Sequence, residues 1–468
     1  MGSIYSALCA AIHSIWMSYS GDQPAWLYRR AVSLFPDAQV EHNRSVALDL
    51  PSYAAWRLRQ NCTEPDSMDG LEQMEQLLRQ LREYDFAPME ADTVQGLYGK
   101  KLYLSASRID KYAACRFAFF MTYGLKAKPR RQARLDPSVF GTLVHDVLEK
   151  TVMQVKELGG FHLVEEEQLL DLAMEALEDY ANTHFPEQAQ REAFLFRRSR
   201  DEVLAIVRDL GQELRDSLFA PESCELEFSA NGKGLPPIQI QGQRVLCEIS
   251  GFVDRVDLYE ADGKCYVRVV DYKTGRKDFD YTDILHGAGL QMLIYLFALR
   301  QYGDRLYHKG QPEPAGVLYL PARRDFQTAK SAPDDVQTEA MHAAAKRRRG
   351  LIREDEHLLA AMEKDPTKPK YMPYQIKSGH PSGDLASSDQ MILLERHVLR
   401  TLAEMADSMS SGDVVPNPTE RGGYGPCNYC DFADVCHKDL CRHDTRVLAA
   451  TPASLFWEKL QEEEVRHG

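Results

Sequence analysis

The stretch that most restricts the fold is 251–274, GFVDRVDLYEADGKCYVRVVDYKT. Two β-prone runs flank Asp262-Gly263, a dipeptide suited to the positive φ angles of a two-residue hairpin loop. With that pair as the loop, Ala261 faces Lys264 and every cross-strand pair sums to 525, so Asp254 lies opposite Asp271. Facing side chains of an antiparallel pair have Cβ atoms about 4.5–5.5 Å apart, and the two carboxylates repel. Alternation puts Asp254 on a face with Phe252, Val256 and Leu258, and Asp271 on a face with Val267, Val269 and Lys273. Two facing acids on apolar faces require a cation between them. Oxygen ligands suit a hard one, Mg²⁺ or Mn²⁺. The competing reading is a solvated hairpin with exposed acids, which the apolar neighbours on both faces disfavour.

Asp271 and Lys273 are two apart and project to the same side of their strand. Asp254, followed by Asp271-Tyr272-Lys273-Thr274-Gly275, resembles the core of the PD-(D/E)XK nucleases, particularly the RecB-like branch, whose strand often reads DYKTG. The resemblance implies an α/β restriction-endonuclease-like core, a central mixed sheet flanked by helices. Residues 140–145, FGTLVH, open a helix with Val144, Leu148 and Val152 on one side. In the RecB-like branch a G-x-x-x-H helix places a histidine at the metal, and Gly141 with His145 matches it. Gln291 and Tyr295 lie four apart on a buried helix over 290–299. They match the Q-x-x-x-Y pair that follows the family's catalytic strand. The resemblance thus implies that His145, Asp254, Asp271 and the carbonyl of Tyr272 hold Mg²⁺ (or Mn²⁺). Lys273 would help to activate a water, and Gln291 and Tyr295 would position the metal shell or the DNA backbone.

Ten cysteines, with no positive n-region or cleavage site near the N-terminus, lead us to expect a cytoplasmic chain that uses thiols as ligands rather than in disulfides. Cys427, Cys430 and Cys436 form a C-x₂-C-x₅-C array. Thiolates bind zinc or iron–sulfur, and the spacing leaves both open, because His437, Cys441 or His443 could complete a local zinc site. Residues 102–128 open with a short strand, then a helix capped by Ser105 or Ser107 and running through Cys115 and Phe119. This segment resembles the start of the nuclease domain in the AddB component of AddAB-type ATP-dependent helicase–nucleases, where the matching cysteine is the first ligand of a 4Fe–4S cluster. The resemblance implies that Cys115, Cys427, Cys430 and Cys436 hold such a cluster and tie both ends of the domain together. Cys9, Cys62, Cys224, Cys247 and Cys265 are expected to be packing residues.

We expect 1–98 to be a helical remnant of a helicase-like region, with helices between Ile4 and Tyr84. The nuclease domain is expected at 99–445, with a helical insertion at 156–218 and the cysteine segment at 413–441, and a C-terminal helix at 446–468. Ala315 to Leu320 reads as a strand, Glu363 to Ser388 as a mobile loop, and Gln390 to Met409 as a helix. A net charge of −14 excludes a DNA-coating protein but not a DNA enzyme, whose positive charge need only be local. The candidates for phosphate contact are Lys126, Lys128, Arg130 and Arg131, and the run KRRR at 346–349. No apolar run reaches about 18 residues, so no membrane span is expected. The chain has no G-x-x-x-x-G-K-[ST] loop, hence no P-loop ATPase by that signature. The resemblance implies a DNA nuclease that works on double-strand ends and single strands, for recombinational repair. Its partner would be the motor and nuclease component of a heterodimer. Two other readings stay open: a stand-alone iron–sulfur RecB-like nuclease of the CRISPR-adaptation type, and a catalytically idle, cluster-stapled DNA-binding or partner-docking module.

Overall fold

The computed structural model describes residues 88–128, 138–184, 190–230, 234–275, 277–323, 341, 344–436, 438 and 444–467. The helices expected between Ile4 and Tyr84 lie outside the described residues, as do Arg130, Arg131, His437, Cys441 and His443.

Strand β1 (Leu102–Leu104) leads into helix α1 (Ala106–Ala114). Three longer helices follow: α2 (Ser138–Glu157), α3 (Glu166–His184) and α4 (Gln190–Asp216). Strands β2 (Ala220–Phe228), β3 (Ile238–Gln241), β4 (Leu246–Ile249), β5 (Gly251–Ala261) and β6 (Lys264–Lys273) come next. Helices α5 (Tyr281–Leu285) and α6 (Gln291–Tyr302) connect β6 to its parallel neighbour β7 (Glu313–Pro321). The chain continues through β8 (Arg349–Arg353), β9 (Tyr374–Lys377), β10 (His380–Gly383) and β11 (Leu385–Ala386) to helices α7 (Ser388–Ser410) and α8 (Ala453–His467). The strand expected at Ala315 to Leu320 and the helix expected at Gln390 to Met409 are present as β7 and α7.

The main sheet has six strands in the order β11-β8-β7-β6-β5-β2, parallel at β6–β7 and β8–β11 and antiparallel elsewhere. A second sheet, β1-β4-β3, joins it through one continuous stretch, since only Ser250 separates β4 from β5. Helices cover both faces, because β6 is apolar on both. Val267 and Val269 pack with residues of α6, α7 and α8, whereas Val270 and Tyr272 pack with α2, α3 and α4. In α6 every residue from Met292 to Leu299 is buried. At about 1.5–3 kcal/mol for each large apolar side chain removed from water, this helix anchors the first face. In α2, Val144, Leu148 and Val152 are fully buried, the stripe read from the sequence. No helix among the described residues is long and apolar enough to cross a membrane.

The second face of the hairpin carries an internal charge network. Arg255 donates to both carboxylate oxygens of Asp257 (Nε–Oδ1 2.8 Å, Nη2–Oδ2 3.0 Å), and Arg268 Nε donates to Asp257 Oδ2 at 2.7 Å. Glu213 of α4 accepts from Arg348 Nε at 2.8 Å and lies 3.7 Å from Arg268 Nη2. All five residues are buried.

Three expectations need correction. The helix at 106–114 does not run through Cys115, which is extended (φ −167°, ψ 124°) and followed by a short turn at Arg116–Phe119. The C-terminal segment supplies the replacement bonds: Asn417 Oδ1 accepts from the Arg116 amide at 2.7 Å, and Arg446 donates to the carbonyl of Ala113. Ser105 occupies the N-cap position without a capping bond, its Oγ 3.0 Å from that of Ser107. The stretch from Glu363 to Ser388 is not a mobile loop. The buried Glu363 carboxylate accepts from the amides of Lys370, Tyr371 and Met372 at 2.6–2.7 Å, and β9 and β10 pair as a hairpin. One buried carboxylate here outweighs a Pro- and Gly-rich composition. Finally, each member of the KRRR run has a partner within the protein, although only Arg348 is buried. Arg348 sits in the core on Glu213, Lys346 Nζ lies 2.7 Å from Asp209, Arg347 donates to the carbonyl of Pro369, and Arg349 lies 3.5 Å from Asp278.

Candidate metal centre

Asp262 and Gly263 both take positive φ, +51° and +74°, as a two-residue hairpin loop demands. The β5–β6 pairing then runs from Ala261↔Lys264 to Arg255↔Val270, each pair summing to 525. It stops one pair short of Asp254 and Asp271, and the Tyr272 amide donates to Asp254 Oδ2 at 2.6 Å. Both aspartates are buried, 9% and 3% exposed. Burial, and next the like charge of Asp271, push Asp254 up to about 7. Burial pushes Asp271 up as well, against the pull of Lys273, His145 and Lys277. Lys273 Nζ stands 2.6 Å from Asp271 Oδ2, an ion pair whose angle leaves that oxygen without a formed hydrogen bond.

Helix α2 brings in His145. The start of this helix lies near the end of β6, where a Cβ on Gly141 would make only an ordinary 3.7 Å contact with Thr274 Cγ2. His145 Nε2 is 2.9 Å from the carbonyl oxygen of Tyr272, so Nε2–H donates to it. Nδ1 faces the acids, 3.6 Å from Glu225 Oε1 and 3.7 Å from Asp254 Oδ2. A histidine whose one nitrogen is fixed by a carbonyl presents the other as a ligand. Burial pulls the His145 pKa down, but the hydrogen bond with Glu225 and the charge of Asp254 outweigh it, and the net shift is upward. The Tyr272 carbonyl is thus engaged by His145, with a second lone pair left over.

Glu225 is the residue that the sequence reading missed. One ligand atom each from His145, Glu225 and Asp254 lie within 4.8 Å of one another. The β2–β5 pairing includes Cys224↔Arg255 and Leu226↔Val253 and skips Glu225 and Asp254 between them. Glu225 has φ +46°, the left-handed region that non-glycine residues enter mainly under local constraint. Its sequence signal was one acid among several in a short strand, CELEF at 224–228, indistinguishable from a solvated edge.

Gln291 opens α6, and Tyr295 lies one turn on, hydrogen-bonded to Gln291 and to the backbone of Phe252. Burial first, then Asp271 and Asp254, push the Tyr295 phenol up to about 12, so it stays protonated, and its oxygen accepts from Gln291 and the Phe252 amide. Gly251 makes room for it: a Cβ there would fall 2.0 Å from the phenol oxygen. Six of the expected residues, Asp254, Asp271, Lys273, His145, Gln291 and Tyr295, therefore converge at the end of one hairpin. The carboxylates of Asp254 and Glu225 with the imidazole of His145 fit a hard divalent cation, and Asp271 acts on Asp254 from beside them without joining that group.

Cys115, although 312 positions before Cys427, reaches the C-terminal array. It packs with Phe432, Cys430 and Cys436, and both Cys115 and Cys430 act electrostatically on Cys427. Cys115, Cys427 and Cys430 form no disulfide, and Lys438 Nζ lies 3.9 Å from Cys427 Sγ. Burial pushes the Cys427 thiol up, and the pull of Lys438 in the other direction does not overcome it. Lys126 and Lys128 are exposed on the strip that follows this segment.

The architecture and this site define a class. The PD-(D/E)XK nuclease superfamily model matches residues 103–437, and the chain belongs to that superfamily. It is also similar to proteins named as the B subunit of an ATP-dependent helicase/deoxyribonuclease. Identity is 30% over 388 residues with that of Clostridium novyi, covering 80% of this chain and 34% of the relative. Identity is 29% over 399 residues with that of Ruminiclostridium cellulolyticum, covering 81% and 34%. The chain thus spans about a third of the length of the curated relatives it matches.

Proposed function

We propose that the chain is the nuclease module of an AddAB-type helicase–nuclease, hydrolysing DNA phosphodiesters with Mg²⁺ (or Mn²⁺) and resecting double-strand ends beside a motor partner. The observation that carries this reading is the buried, like-charged pair Asp254 and Asp271, with Lys273 on one side and His145 and Glu225 on the other. Two buried carboxylates that raise each other's protonation in one low-dielectric site call for a cation or a shared proton. The ligands would be Asp254, Glu225 and His145 through Nδ1, with Asp271 alongside. A divalent cation held there would neutralise the acids, lower the pKa of a water and offset charge on the phosphate oxygens. The chain's own groups do the rest. Lys273 Nζ supplies a proton donor and positive charge beside the scissile phosphate, and the Tyr295 phenol and Gln291 orient the acids and the DNA backbone. Burial keeps bulk water from screening these charges.

A second reading, a catalytically idle scaffold, finds no support in a site that keeps its repulsive acid pair beside an intact lysine. We also infer that Cys115, Cys427, Cys430 and Cys436 hold a 4Fe–4S cluster, supported by their convergence. Its role would be to staple a loop of more than 300 residues.

The test is cleavage of linear single-stranded DNA with and without Mg²⁺ by anaerobically purified protein, alongside Asp271→Ala. Metal-dependent cleavage that Asp271→Ala abolishes is the expected result. A folded, iron-loaded parent that cuts neither alone nor with a motor partner would end the nuclease reading. Iron content of Cys430→Ser, expected to fall to background, tests the cluster independently.

A further inference from the structure

The metal centre has one apolar neighbour that its chemistry does not use. On β5, Phe252 stands two residues before Asp254, on the same side of the strand and about 7 Å along it. Its β2 partner is Glu227, two residues past Glu225, so the Phe252↔Glu227 pair lies two rungs along the ladder from the acids Asp254 and Glu225. Phe252 is 53% exposed, the only exposed phenylalanine among the described residues, and its ring has no aromatic or cationic partner among them. A lone apolar side chain elsewhere on a surface needs no explanation. This one is fixed to the site: its amide donates to the Tyr295 phenol oxygen, which also accepts from Gln291. The backbone beneath the ring is therefore tied to the metal centre, while the ring itself is left uncovered.

Charge decides what can lie on this ring. Glu227 faces it across the ladder and takes no part in the metal group, so its carboxylate repels a phosphate there even with a cation at the acids. The uncharged face of a nucleobase meets no such penalty. A phosphate has its cation on the β6 side of the site instead, where Lys273 Nζ stands 2.6 Å from Asp271 Oδ2. We propose that Phe252 is a base-stacking platform for the strand being cut, with one unpaired nucleobase on its ring and a neighbouring phosphate at the metal centre. Every base has a π-face, so the platform accepts any sequence. A paired base cannot reach it, so it selects single strands over duplex. The choice of a DNA strand as occupant rests on the nuclease reading.

The experiment is a fluorescence titration of the full chain carrying Asp271→Ala, in Mg²⁺, with a short oligothymidylate. It carries one 2-aminopurine, moved along the strand position by position, whose emission is quenched by stacking. We expect Phe252→Ala to weaken binding about tenfold and to relieve the quenching at one position. Phe252→Tyr should keep both, whereas Phe252→Leu, apolar but without a ring face, should behave like alanine. On a strand of abasic nucleotides, phenylalanine and alanine should bind alike. Phe252 is half exposed, so these changes leave the core intact, which thermal melts check. Affinity and quenching that Phe252→Leu leaves untouched overturn the platform, as does an advantage of phenylalanine that persists on the abasic strand. No strand binding by the folded chain overturns it too. Cleavage by the parent is scored separately, and there Phe252→Ala should raise KM and spare kcat. A chain that cuts but ignores Phe252→Ala loses the platform and keeps the nuclease reading. Phe252-dependent strand binding by a chain that never cuts does the reverse.

Discussion

The two faces of one hairpin handle buried charge in opposite ways. On the face toward α4, Arg255, Asp257 and Arg268 join Glu213 and Arg348 in a network of opposite charges that satisfies its own carboxylates. On the face toward α6, Asp254 and Asp271 are buried to a similar degree and repel each other. Strand alternation alone separates these sets, since Asp254 and Arg255 are neighbours in sequence. A network in which every buried carboxylate has a guanidinium partner is part of the architecture. One without such partners is a site waiting for something from outside the chain.

The largest expected effect breaks the second face. Asp271→Ala should reduce cleavage on the order of a thousandfold, while urea unfolding shows a metal-free chain no less stable than the parent. A matching loss of stability would move Asp271 into the architectural set. On the first face the pattern inverts. Glu213→Gln should cost about 3–5 kcal/mol of stability, because it strands buried guanidiniums, and should leave turnover per folded molecule unchanged.

The pH dependence sharpens the comparison. Without metal, Asp254 keeps its proton in the folded chain up to about 7, against 3.8 for the free acid. Between these values the folded state binds more protons than the unfolded one, so stability falls as pH rises through that window. Asp254→Asn should remove this slope and stabilise the metal-free chain at pH 8 by up to about 4 kcal/mol. It should also abolish the Mg²⁺-induced rise in Tm. A parent whose stability is flat across the window would contradict the assignment.

Smaller effects lie at the edges. Gly251→Ala should displace Tyr295 and cost about 1–3 kcal/mol through overpacking, with a loss of activity that thermal melts and cleavage assays read together. Arg349→Ala, which removes a half-exposed pair with Asp278, should change stability by less than about 1 kcal/mol. It should leave the salt dependence of DNA binding unchanged, where a phosphate contact would lower the slope by about one.

The hairpin was legible because its determinants are local. A turn dipeptide sets the register, and a period of two then places every side chain. The same holds for the α2 stripe with His145 and for the i, i+4 pair on α6. The Glu363 segment and the KRRR run were misread because composition is blind to partners. Glu363 gathers three amides that lie seven to nine residues on. Arg348 meets Glu213, 135 residues away.

From its sequence alone, this chain's paired acids, its adjacent lysine and its three-cysteine array were determined, because turn chemistry and short-range spacing dictate them. Only the tertiary structure decided that Glu225 joins the acids, by forcing a left-handed residue into β2 at the point where pairing with β5 lapses. It alone decided that the helix breaks at Cys115, where Asn417 and Arg446 take over the backbone bonds. Both depend on contacts between segments far apart in the chain, and no local periodicity encodes them.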